Sequence, residues 1–173
     1  MRYQTLNKKQ KERFSNFFKE KYGLELKGQI VKQSTEKLRI FTGNLLEHEL
    51  AVFVGTVRVE TIGIYLVTLD NRDKGEKEET IRFSFDAGFL AKDATKNVLE
   101  LNDKQAKQWF KGEDITIDSE QQSPDTKEDL KLNNVDYPFV LLKYKDEIVG
   151  CGKLTQDKDK IINFVPKERR IKY

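Results

Sequence analysis

The 173-residue sequence predicts an α+β fold of two packed units in which strands outnumber helices. Three observations carry that expectation. Aromatic residues near the start recur at three- and four-residue steps, β-branched residues alternate through the middle, and the last third reads strand, turn, strand, turn, strand. Long crossovers, which parallel strands need, are scarce along the chain, so antiparallel pairing is expected.

The first element is a helix over residues 7–22. Phe14, Phe17, Phe18 and Tyr22 share one face, Lys8, Lys9, Lys11, Lys19 and Lys21 fill the other, and Gly23 can stop the helix in a left-handed conformation. Residues 38–41 suit a short strand and 45–50 a helical turn or two. The run Val52, Val54, Thr56, Val57, Val59, Ile62, Ile64, Leu66, Val67 then reads as β-rich, with Gly55 and Gly63 as bulges or a turn. Residues 70–80 form an exposed hairpin-like connection. Ile81, Phe83 and Phe85 resume the alternation, and 87–92 suit a short helix.

The second half is sharper. Residues 97–101 are a strand, and Asn102 caps a helix to about Lys111 with Ala106, Trp109 and Phe110 inward. Gly112 ends it, and Ile115 and Ile117 start another strand. Residues 119–134 are polar, contain Pro124 and lack periodicity, which marks a long loop. From Tyr137 the strands 139–144, 148–154 and 161–165 follow, joined by turns at 145–147 and 156–159. Gly150 and Gly152 flank Cys151 inside a strand, where another backbone is expected to approach closely.

Composition excludes several classes. With 11 Phe and 6 Tyr the chain can build a core, and no apolar run approaches the roughly 20 residues of a membrane helix. No secretory leader is read at the start, so the expected setting is cytoplasmic. One cysteine and one histidine make neither an internal disulfide nor an N/S-ligated metal site. No glycine-rich nucleotide loop is present. His48 reads as an ordinary helical histidine and Cys151 as a small buried residue. Neither has a partner suited to catalysis, and the carboxylates are scattered through charge-mixed loops, so no catalytic, cofactor-binding or metal-binding residue is nominated.

Charge points elsewhere. Lys and Arg number 32 against 29 acidic residues, a net +3 that says little. Its distribution says more: residues 1–21 hold seven basic and two acidic side chains, residues 137–173 hold nine and five, and the middle holds sixteen and twenty-two. Two basic ends around an acidic middle fit a polyanion-binding face. The segment 163–170 (Asn-Phe-Val-Pro-Lys-Glu-Arg-Arg) ends an apolar strand in a cation cluster, and guanidinium forks match phosphate oxygens geometrically.

Residues 97–118 followed by 137–170 resemble a PUA domain. They are most similar to the variant found at the C-terminus of Sun/Fmu-type RNA cytosine-5 methyltransferases and in free-standing archaeal ribosome-biogenesis proteins of that family. The strand–helix–glycine entry, the Val149-Gly150-Cys151-Gly152 strand and the 163–170 ending carry the likeness. The first 95 residues look like the pre-PUA segment that precedes such domains. The methyltransferase core is missing, with neither an S-adenosylmethionine loop nor a Pro-Cys motif.

The resemblance implies a division into a pre-PUA α/β unit, 1–95, and a PUA-like β-barrel, 96–173, interrupted by the 119–134 loop. It implies a non-catalytic, RNA-binding protein of ribosome biogenesis or of rRNA or tRNA modification, with structured RNA as partner and no membrane. It places Lys111, Gly112 and Glu113 in the RNA-facing loop, with Gly112 letting the backbone approach RNA. Lys153, Lys167, Arg169 and Arg170 would contact phosphates, supported by Lys143 and Lys145. The alternative is a protein–protein adaptor for a ribosomal protein, an assembly factor or a separate methyltransferase chain.

Overall fold

A computed structural model describes residues 3–70, 80–117 and 135–172, and arranges them as two five-stranded sheets with three α-helices. Sheet A joins β1 (Gln4–Thr5), β2 (Gln29–Lys32), β3 (Lys37–Phe41), β4 (Ile64–Asp70) and β5 (Thr80–Phe83) in sequence order, every pair antiparallel. Sheet B runs β6 (Val98–Glu100), β8 (Phe139–Tyr144), β9 (Glu147–Leu154), β10 (Lys160–Ile162) and β7 (Ile115–Thr116) across the sheet. Helix α1 (Lys8–Tyr22) precedes β2, α2 (Glu47–Thr56) lies between β3 and β4, and α3 (Asp103–Lys111) lies between β6 and β7.

The helix signals behave as local chemistry dictates. Asn7 and Asn102 each cap their helix by accepting from the N3 backbone, with Gln10 and Gln105 reaching back to complete a capping box. Gly23 and Gly112 end α1 and α3 at φ of 62° and 82°, conformations that a Cβ would strain. Residues 85–91 wind as a 3-10 helix capped by Ser84.

Four expectations need correction. The supposed β-rich run from Val52 begins as helix: Leu50 and Val54, one turn apart, pack with Tyr3, Val31 and Ile62 under sheet A, and that burial outweighs β-branched propensity. β2 and its two-residue partner β1 were not expected. β6 pairs with β8 in parallel, the chain between them supplying the crossover. Among the described residues β6 and β7 are the two ends of sheet B and do not pair with each other, so the strands form an open sheet rather than a closed barrel. The 119–134 loop and most of the 70–80 connection lie outside the described residues, although Asp70 and Thr80 stand opposite one another where β4 meets β5.

Packing is layered. Phe14, Phe18 and Tyr22 of α1 share one core with Leu38, Leu66 and Phe83 of sheet A and with Phe139, Leu141 and Cys151 of sheet B. The opposite face of sheet B packs against α3 through Trp109, Val140, Leu142 and Ile161. Tyr22 ties the sheets together by donating its hydroxyl to the carbonyl of Phe139 at 3.0 Å; burial pushes that phenol's pKa well above its ordinary value, so it stays a neutral donor. Asn97, also buried, bonds the carbonyl of Lys21 and the carboxylate of Asp136.

Close approach of another backbone was expected at Gly150 and Gly152; Gly152 does face the Ile162 carbonyl, which a Cβ would meet at 3.2 Å, but the tightest neighbours of both glycines are side chains. A Cβ on Gly150, whose φ is 146°, would lie 2.9 Å from Cζ2 of Trp109. One on Gly152 would lie 2.3 Å from Ile161 and 3.5 Å from the same indole. The Trp109 N–H donates to the carbonyl of Val149 at 2.9 Å, fixing the ring across β9. Gly150→Ala should therefore destabilise the protein by ~1–3 kcal/mol, the usual cost of overpacking a core, as measured by urea denaturation. An unchanged midpoint would show that the indole can move aside.

Candidate nucleic-acid interface

The cations expected to meet RNA are set by the C-terminal end of α3. Gly112 donates its N–H to the carbonyl of Trp109 and Glu113 donates to that of Gln108, which closes the helix. Against this turn lies the chain from Asn163 onward. Asn163 donates from Nδ2 to the carbonyls of Trp109 (2.8 Å) and Glu113 (3.0 Å), and its Oδ1 accepts from the N–H of Val165 (2.7 Å). Its own N–H bonds Asp114 Oδ1 at 2.8 Å, while Asp114 Oδ2 pairs with Lys160 at 2.8 Å.

This clasp delivers Arg170 onto Gly112. A Cβ at Gly112 would lie 2.2 Å from the Arg170 Nε, so the space the glycine leaves is filled by the protein's own guanidinium. Arg170 is half-buried and donates from Nε to the carbonyl of Val165 at 3.0 Å, and Ile171 donates to the carbonyl of Phe110. Lys111 and Glu113 beside it are exposed, as are Lys167 and Arg169 in the 3-10 turn that precedes it. Arg169 pairs with Asp86 at 3.3 Å.

The remaining candidates lie apart. Lys143 and Lys145 belong to the β8–β9 hairpin, Lys143 at 4.0 Å from Asp146 and Lys145 above the Tyr144 ring at 5.1 Å. The Tyr144 hydroxyl reaches Asp103, so this hairpin flanks the N-terminal end of α3, away from Lys111. Lys153 stands at the far end of β9 opposite Phe139, with its ammonium 5.9 Å from that ring. Lys111, Gly112, Glu113 and Arg170 thus meet at one turn and Lys167 and Arg169 lie in the short segment that leads Arg170 to it, whereas Lys143, Lys145 and Lys153 do not join them.

Asn163, Asp114 and Asp86 escaped the sequence reading although they position the cations. Only Asn163 carried a legible signal, since an Asn that caps the N–H two residues on is a recognised local turn. His48 is exposed on α2, and burial raises the Cys151 thiol to a pKa of about 12, far from a reactive thiolate. Among the described residues, no group of three His, Cys, Asp or Glu is placed to hold a metal ion, and no helix is long and apolar enough to cross a membrane.

The family match falls on this same region. Residues 96–171 match the family described as the methyltransferase RsmF PUA domain, and the match takes in no catalytic region. The chain is also similar to ribosomal RNA small subunit methyltransferase F of Shewanella sp. (strain ANA-3), 29% identical over 114 residues. That alignment takes in 64% of this chain and 22% of the relative, so the chain corresponds to about a fifth of that protein's length.

The bond from Lys160, followed by that from the Asn163 backbone, holds the Asp114 carboxyl below its ordinary pKa of 3.8. A lowered carboxylate pKa adds stability above the ordinary value and loses it as pH falls through the folded value. Asp114→Asn should therefore lower the melting temperature at neutral pH, and the gap from the native protein should close in strong acid. A gap that persists there would assign Asp114 a role unrelated to its charge. Lys160, raised by the same partner, keeps its charge until strong alkali, so the pair is lost in acid through Asp114 and in alkali through Lys160.

Proposed function

We propose that this chain is a non-catalytic RNA-binding protein acting in rRNA modification or ribosome biogenesis. In this reading residues 96–173 are the PUA-like unit and residues 1–95 are a pre-PUA unit. Structured RNA, rRNA or tRNA, is the partner, and the setting is cytoplasmic. The observation that carries the proposal is the coincidence of the 96–171 match with the cations gathered around Gly112. Such a platform meets phosphates and 2′-hydroxyls along a shallow minor groove without reading much sequence. Lys111, Lys167 and Arg169 are its exposed contacts, Arg170 its fixed one, and Glu113 shapes the turn. Lys143, Lys145 and Lys153 would extend the surface.

A second reading rests on α2, whose Leu46, Val52, Phe53 and Val57 are 59%, 66%, 42% and 50% exposed. An apolar stripe of this kind suits a protein contact. A separate methyltransferase chain, a ribosomal protein or an assembly factor would then be docked there by an adaptor.

Replacing Lys111, Lys167 and Arg169 by Ala should weaken binding to structured RNA and reduce the slope of log affinity against log salt by about 3, one per lost phosphate contact. The same loss at Lys8, Lys9 and Lys19, exposed on α1, should matter far less. Equal effects from both triple variants would mean that binding follows net charge alone. Arg170 is left in place because its packing on Gly112 makes it part of the fold. Calorimetry with S-adenosylmethionine should give no heat of binding, and micromolar affinity would overturn the non-enzyme assignment.

A further inference from the structure

A second feature lies on the other side of the C-terminal segment. Thr80 of β5, the entry to β8 and the β9–β10 hairpin enclose a cavity of about 440 Å³, within the range of about 300–1,000 Å³ typical of small-ligand clefts. Its apolar lining includes Tyr137, Pro138 and Ile162, the last 37% exposed. Lys153 and Lys158 bring two cations, and Gln156 an exposed amide. The one carboxylate among the described lining residues, Asp136, is engaged by Asn97 Nδ2 at 2.8 Å and by Lys21 at 3.4 Å, and the Asn97 bond, more than any other contact, holds it ionised below its ordinary pKa. Among those described residues cations outnumber carboxylates.

The surroundings repeat one chemistry. The Tyr137 ring lies 6.1 Å from Phe139, and Phe139 lies 6.1 Å from Phe164. Lys153 sits over Phe139, and the Arg82 guanidinium covers Phe164 at 4.4 Å. Phe139 is buried, but Tyr137, Phe164 and Arg82 are partly exposed. Rings interleaved with cations are what unpaired nucleotides need, because bases stack on aromatic or guanidinium planes while Lys and Arg meet the phosphates. Duplex RNA, its bases already stacked, has no use for such a cleft. Moreover, Phe164 lies one residue after Asn163, which anchors the Gly112–Arg170 cluster, so a single bound RNA can reach both.

We propose that this cavity takes one unpaired nucleotide of the RNA held at the Gly112–Arg170 face. Its base lies against Tyr137 and Ile162, and its phosphate lies near Lys153 and Lys158. The inference rests on the RNA-binding reading above and adds a preference to it: RNA with an unpaired loop is favoured over a blunt duplex.

Fluorescence anisotropy of the full chain with a labelled hairpin RNA bearing an unpaired loop, and with a blunt duplex of equal length, tests this. The native protein should prefer the looped RNA by about tenfold, the worth of one stacked base. Ile162→Glu puts a negative charge at an exposed position in the cavity and should abolish the preference while leaving duplex affinity and melting temperature unchanged. Lys158→Ala should reduce the preference in the same direction. Equal affinity of the native protein for the two RNAs overturns the cavity assignment and leaves the RNA reading standing, as does a preference that survives Ile162→Glu in a folded variant. Failure to bind either RNA overturns the RNA reading itself. Adenosine and uridine monophosphates serve as competitors: displacement of the looped RNA at micromolar concentration would make the cavity a free-nucleotide site and overturn the proposal.

Discussion

The Trp109 indole lying in the gap left by Gly150 and Gly152 is the contact on which the rest of the C-terminal unit depends. Its N–H satisfies a β9 carbonyl and its ring fills space that any larger residue would occupy, so α3 has one rotation about its axis and one depth against sheet B. From that follows the position of the carbonyl of Trp109, which receives both Gly112 and Asn163. The helix end, the C-terminal segment and the guanidinium of Arg170 are therefore located by one buried side chain. A polyanion-binding face built on loops would ordinarily be imprecise. Here the loop is short, its glycine is filled, and its anchor is in the core.

Both sheets feed that arrangement. Phe139 belongs to sheet B yet packs in the core that α1 and sheet A share, and the Tyr22 hydroxyl holds its carbonyl. Tyr137, two residues earlier, bonds the backbone of Ile81 in β5 through its hydroxyl, accepting from the N–H at 2.6 Å and donating to the carbonyl at 3.1 Å. The cleft beside Lys153 thus lies where β5 meets the entry to β8. Its apolar lining is a by-product of joining the sheets, and its cations come from β9 and the hairpin that follows.

What was legible in the sequence divides along a physical line. Helices α1 and α3 announce themselves because their caps, stripes and glycine stops are all within a few residues of one another. The β8–β9–β10 meander is legible for the same reason, being made of neighbours. Helix α2 is legible only in its first turn, expected at 45–50, because its later β-branched residues speak for strand and the distant partners Tyr3, Val31 and Ile62 make helix the better way to bury Leu50 and Val54. The parallel pairing of β6 with β8 and the seating of Arg170 on Gly112 join residues more than forty positions apart, and no local pattern encodes them. The glycines at 150 and 152 were rightly singled out as places of close approach, by the Trp109 ring at Gly150 and by Ile161 and the Ile162 carbonyl at Gly152. At Gly112, expected to face RNA, the space is taken by the Arg170 side chain.

That last point reorders the cations of the interface. A half-buried guanidinium with its Nε bonded to the carbonyl of Val165 and its plane against a glycine has little freedom left, so Arg170 acts as a fixed element of positive potential. Arg169 differs, since its pairing with Asp86 is exposed and such surface pairs contribute about 0–1 kcal/mol, little enough for a phosphate to replace the carboxylate. Lys111 and Lys167 extend from the same turn into solvent, where their charge acts over about one Debye length, roughly 8 Å at physiological salt. An approaching RNA would meet the flexible lysines first, exchange with Asp86 for Arg169, and settle against Arg170 last. In the proposed RNA-binding role, salt would weaken the outer contacts far more than the inner one. Selectivity for shape would then come from the inner cation, because only a phosphate path that fits the α3 turn would reach it.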